Sequence, residues 1–168
     1  MCAGPPHTKT LGGSYDKVAT CYQELKHQGA RVLRDTLGLP HEWHETDTSV
    51  TLEFPKVEPT GFDVLIVAGM SEVVVTAGNL HTHFDDPKNP HELVRASLGL
   101  ARDLLSPTMR LRERCAGGSP YRWILELKKG GKWVGQETVA LLFWNYFGAR
   151  SERILQNTQL PARPYPDD

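Results

Sequence analysis

The apolar positions along the chain follow first a helical period and then a strand period. Val18, Cys21, Tyr22, Leu25, Val32, Leu33 and Leu37 recur at helical spacing. They predict a first helix with Ser14 as its N-cap. Asp16 in the first turn and Arg31 and Arg34 in the last turns suit the helix dipole. Gly38 followed by Pro40 is a stop signal. Gly29 interrupts the pattern and predicts a bend or a weaker helix. His41 to Thr48 reads as a polar loop, with Trp43 anchoring it on the core. The period then changes to two. Val50, Leu52 and Phe54 alternate with Thr51 and Glu53, and Pro55 ends that strand. Phe62 to Ala68 and Glu72 to Thr76 read as two further strands. Gly78-Asn79 is a hairpin turn leading into a return strand, Leu80 to Phe84.

Asn89-Pro90-His91-Glu92 is the clearest local signal in the chain. Asn89 can cap a second helix, Pro90 suits its first position, and Glu92 can complete a capping pair. Leu93, Val94, Ser97, Leu98, Ala101, Leu104 and Leu105 share one helical face, and Ser106-Pro107 ends the helix. Thr108 to Cys115 and Tyr121 to Lys128 predict strands joined around Gly117-Gly118-Ser119-Pro120. Gly130-Gly131 leads into Lys132 to Tyr146, which either bulges at Gly135 or turns helical after Glu137. Ile154 and Leu155 form a short last element. Residues 1–13 are expected to be irregular, 14–158 to be a single α+β domain, and 159–168 to be a Pro-rich tail. The expected fold is α+β: one mostly antiparallel sheet of six or seven strands with two main helices on one face.

Composition narrows this picture without naming a function. The chain has 168 residues, with 19 Lys and Arg against 20 Asp and Glu. No apolar run nears the roughly 18 residues of a membrane span, and no leader pattern opens the chain. A soluble, cytoplasmic protein is the expectation. Three widely spaced cysteines, Cys2, Cys21 and Cys115, suggest neither a disulfide framework nor a cysteine zinc site. The near-zero net charge conceals a segregation. Residues 1–40 carry a balance of +2, residues 41–92 one of -8, and residues 93–168 one of +5. Five of the seven histidines lie in the acidic stretch. Asymmetry of this kind bears on partners rather than on fold.

Within the acidic stretch, His81-Thr82-His83-Phe84-Asp85-Asp86 puts His81, His83 and Asp85 on one face of a strand. Two imidazoles and a carboxylate suit zinc or another divalent transition metal. The spacing resembles the His-x-His-x-Asp-His motif of metallo-β-lactamase-like hydrolases over six residues, with Asp86 where that motif has its last His. The later His91 is the remaining candidate ligand. The resemblance implies a metal-dependent hydrolase, and His81, His83, Asp85 and His91 are its candidate ligands. His41 and His44 are three residues apart in a loop, and so do not match the helical metalloprotease pair.

In the basic half, Arg110, Arg112 and Arg114 form a same-face stripe that Arg122 can join. Such a stripe offers an anion or an acidic protein surface several guanidinium groups. The chain as a whole is not basic, so nucleic acid is not the expected partner. Trp133, Phe143, Trp144, Tyr146 and Phe147 are too dense to hide on one face and mark an expected interface, with a protein partner or a homodimer. Phosphate loops, dinucleotide fingerprints and nucleophile elbows are absent from the sequence. The leading expectation is a non-catalytic protein-binding module of inhibitor, immunity or chaperone type, able to self-associate. The alternative is the metal-dependent hydrolase.

Overall fold

The computed structural model describes residues 15–35, 38–69, 72–85, 89–141 and 147–163. Helix α1 spans Tyr15–Asp35 and α2 spans Pro90–Leu104. Nine strands form two antiparallel sheets. The first holds β1 (Glu42–Glu45), β2 (Val50–Phe54), β3 (Val64–Ala68), β4 (Val73–Ala77) and β5 (Leu80–Phe84), in chain order. The second holds β6 (Met109–Ala116), β7 (Ser119–Lys129), β8 (Lys132–Ala140) and β9 (Arg150–Leu155), in the order β8-β7-β6-β9. The fold class is thus the α+β class expected, but one sheet of six or seven strands is replaced by two sheets of five and four.

The extra strand is β1, where a loop was expected. Glu42-Trp43-His44-Glu45 pairs with Val50–Glu53 through a short turn. Its alternation has only one apolar residue, Trp43, so the polar composition hid the strand. Gly29 on α1 is buried, and a Cβ there would lie 3.0 Å from the Trp43 indole. The glycine that seemed to weaken the helix makes room for that ring.

The inner face of the first sheet follows from strict alternation. Val50, Leu52, Phe54, Val64, Ile66, Ala68, Val73 and Val75 are buried. They share one core with Leu25 of α1 and with Leu93, Val94 and Leu98 of α2. Asn89 caps α2, accepting from the Glu92 N–H at 3.2 Å, with Pro90 in the first turn. Glu92 pairs its carboxylate with Arg95 instead of closing the capping box. Met109, Leu111, Trp123, Leu125 and Leu127 extend the same core onto the second sheet.

Glycines with positive φ turn both hairpins of the second sheet, Gly117-Gly118 and Gly130-Gly131. Two consecutive residues of this kind suit the type I′ turn, which matches strand twist. The bulge expected at Gly135 is present: Glu126 faces Gly135 while Leu125 faces Glu137. A second irregularity falls between Arg114 and Cys115, where Arg114 faces Arg122 and Cys115 faces Pro120. Tyr121 falls between Pro120 and Arg122, outside the row of Trp123, Leu125 and Leu127, and lies under the Arg150 guanidinium.

The segment after β9 is docked. Asn157 is fully buried; it accepts from the Phe62 N–H and donates to the Phe62 and Leu104 carbonyls at 3.0–3.1 Å. Leu160, in the expected tail, is buried and its N–H bonds the Leu105 carbonyl. The Ser14 cap, residues 1–13, residues 164–168, and Phe143, Trp144 and Tyr146 lie outside the described residues.

Candidate functional site

The proposed metal ligands occupy two places. His81 and His83 project from β5 with ring centroids 5.2 Å apart. His83 Nδ1 lies 2.7 Å from the Glu72 carboxylate. Asp85 is exposed just beyond the strand. His91 sits on α2, 3.6 Å from Glu24 of α1. Among the described residues, no group of three His, Cys, Asp or Glu side chains is arranged to hold a metal ion. Thr82, on the opposite face of β5, donates to Glu137 of β8 at 2.9 Å and ties the two sheets together.

The arginines converge. Strand alternation puts Met109, Leu111 and Glu113 inward and Arg110, Arg112 and Arg114 outward. The register of β7 adds Arg122, Ile124, Glu126 and Lys128 to the same outer face. From β9, Arg150, Glu152 and Ile154 join them. From β8, Trp133 joins through its pairing with Lys128. This outer face thus carries six basic side chains and two acidic ones.

The two acids hold the arginines in place. Glu126 is 2% exposed, and so needs charged partners. Arg110 Nε donates to it at 2.6 Å, and Arg112 donates to its other oxygen. Trp133 stacks on the Arg110 guanidinium at 4.2 Å. Glu152 accepts from Arg114 at 3.0 Å and lies 4.0 Å from Arg112. A ladder of alternating charge therefore runs Arg110, Glu126, Arg112, Glu152, Arg114. Charge-assisted bonds of this kind fix long side chains that would otherwise lose entropy on binding.

The ladder is short of acceptors. Arg114 and Arg122 lie directly opposite each other across β6 and β7. Like charges so placed are unfavourable unless an anion intervenes. The Nε atoms of Arg112 and Arg122 are buried and make no hydrogen bond. Below this pair, Arg114, Tyr121, Arg150, Ser151 and Glu152 line an open hollow of about 390 Å³.

Among the exposed apolar side chains, Ile154 lies on the ladder's own face and Val134, paired with buried Leu127, on the other. Ile154, Val134 and Leu141 are exposed, and Phe147, one of the aromatics expected at an interface, is wholly exposed. Trp133 is half-buried in its stack. Glu126, Lys128, Arg150 and Glu152 also belong to this face, where no expectation had placed them. The signal for Glu126 was present: an acid inside the run Trp123-Ile124-Leu125-Glu126-Leu127 needs a cation on the neighbouring strand.

No family model, curated protein or solved structure matches the chain. Among the described residues no helix is long and apolar enough to cross a membrane.

Proposed function

We propose that the chain is a non-catalytic protein-binding module. Its second sheet docks an acidic surface of a partner protein. The observation that carries this reading is the acceptor deficit: Arg114 faces Arg122, and two buried guanidinium Nε–H groups are unpaired. An unsatisfied buried donor costs about 1–3 kcal/mol. A carboxylate docked on the part-exposed Arg114 and Arg122 side chains would relieve the like-charge repulsion. The rigid part of the site is already built, because Glu126 and Glu152 hold the flanking arginines. Ile154 and the Trp133 ring give the partner apolar surface beside the charges. An inhibitor, an immunity-type protein or a chaperone would fit this description. The metal-dependent hydrolase has less support, since His81 and His83 gain no third ligand among the described residues.

The test is retention on immobilised protein. Wild type and an Arg114→Glu/Arg122→Glu variant are exposed to the same lysate, and bound proteins are eluted with salt. The proposal expects acidic proteins that elute from wild type and are lost on the variant. Identical retention on both would refute it.

A further inference from the structure

The first sheet has a second face that nothing among the described residues covers. The register sets its outward side chains in two rows. One row runs His44, Thr51, Val67, Val74, His83; the other runs Glu42, Glu53, Leu65, Thr76, His81. The helices pack on the opposite side, against Leu52, Ile66 and Val75. Leu65, Val67 and Val74 are half-buried at the centre of the free face. Glu42 and Glu53 lie directly opposite each other at one edge, with His44 Nε2 3.6 Å and 3.3 Å from their carboxylates. Glu72 stands beside His83 at the other edge. No Lys or Arg occurs in either row. The face is an apolar centre with a carboxylate rim.

Charge decides what can cover it. The free face carries Glu42, Glu53 and Glu72 and no Lys or Arg, and the outer face of the second sheet carries six basic side chains against two acidic ones. A dimer through the free face of both copies joins two faces that carry carboxylates and no Lys or Arg. A dimer through the second sheet of both copies joins two basic faces. A contact between the first sheet of one copy and the second sheet of another places opposite signs together.

We propose that the free face of the first sheet docks on the arginine face of the second sheet of another copy of this chain. This rests on the reading of the second sheet as a docking face, and supplies the acid its arginines lack. Contacts of this type are heterologous. They close into a ring if the rotation permits and otherwise extend as a chain. Arg114 and Arg122 meet Glu42 and Glu53, while Ile154 meets the Leu65, Val67 and Val74 centre.

Mixing two half-dead variants tests the proposal. Glu42→Lys/Glu53→Lys reverses the acidic rim, and Arg114→Glu/Lys128→Glu reverses part of the basic face. Mass is followed by light scattering at low salt and at ~0.5 M salt, where exposed charges are strongly screened. Wild type is expected to grow with concentration at low salt and to revert to monomer at high salt. Each variant alone stays monomeric, and an equimolar mixture associates again, because each reversed face meets one of opposite sign on the other variant. If the Lys variant melts well below wild type, Glu42→Gln/Glu53→Gln replaces it, with association weakened about tenfold or more. A monomeric wild type at every concentration, or variants that still self-associate, or a mixture that stays monomeric, would overturn the proposal. If copies fail to pair yet acidic proteins are still retained through Arg114 and Arg122, the head-to-tail arrangement alone falls. If both fail, the docking face falls with it.

Discussion

The indole of Trp43 lies so close to Gly29 that a methyl group there would meet its Cη2 at 3.0 Å and its Cζ2 at 3.3 Å. Two opposite effects bear on Gly29→Ala. Alanine favours a helix interior by about 1 kcal/mol over glycine. Overpacking a filled site costs about 1–3 kcal/mol. The indole is wedged between α1 and Leu52, so the steric cost dominates. Gly29→Ala is expected to destabilise wild type by about 1 kcal/mol and to stabilise a Trp43→Ala background by a similar amount. Urea unfolding of the four proteins in this cycle measures both. Equal effects in the two backgrounds would show that the indole does not limit the site.

Glu126 should be the least replaceable residue of the arginine face. Glu126→Ala removes the carboxylate from Arg110 and Arg112 and strands their guanidinium groups. A loss of about 2–3 kcal/mol is expected, since hydrogen bonds to charged groups are the strong ones. Glu152 is about half exposed, and Glu152→Ala should cost under about 1 kcal/mol. Thermal unfolding of the two variants ranks them; equal losses would contradict the ladder.

Asn157 ties the segment after β9 to the β2–β3 loop and to the end of α2 with three buried bonds. Asn157→Ala leaves one N–H and two carbonyls without partners. A loss of about 2–4 kcal/mol follows from groups of this kind left unpaired. Hydrogen exchange of the Phe62 amide should rise more than that of the Ile66 amide. Unchanged exchange at Phe62 would mean that the segment docks by other contacts.

Glu45 of β1 links to α1 through Lys26 and Tyr22. Hydrogen bonds from Lys26 first, and then from Tyr22, hold its carboxyl below the usual carboxylate range. A group depressed on folding adds stability above its unfolded pKa and loses it as pH falls through the folded one. The α1–β1 contact should therefore hold at neutral pH and weaken in acid, below the ordinary glutamate range. Glu45→Gln should flatten that acid dependence. Trp43 fluorescence followed through an acid titration reads the contact, and an unchanged profile in the variant would exclude Glu45 as its source.

Much of this fold was legible because one face of each element is buried. Period-two runs marked β2, β3 and β4, and Asn89-Pro90 marked the start of α2. Strand β1 was not legible. Three of its four residues are polar, and its single apolar side chain packs on a glycine of a distant helix. Division into two sheets was equally hidden, since the same alternation serves one sheet or two. The arginine stripe was legible from its spacing alone. Its neutralising acids were not, because pairing of β6 with both β7 and β9 depends on long-range register. The histidine motif on β5 was legible as a face but not as a site: convergence with His91 required α2 to pack elsewhere.

The central claim is that the second sheet is short of an acid, and the Nε–H resonances of Arg112 and Arg122 report on it directly. Wild-type protein is titrated with a glutamate-rich peptide while the arginine Nε–H correlations are followed by NMR. The account predicts that those two signals shift first, saturate together, and lose their response in the Arg114→Glu/Lys128→Glu variant. Shifts spread over all arginines that never saturate, or an unchanged response in that variant, would contradict it.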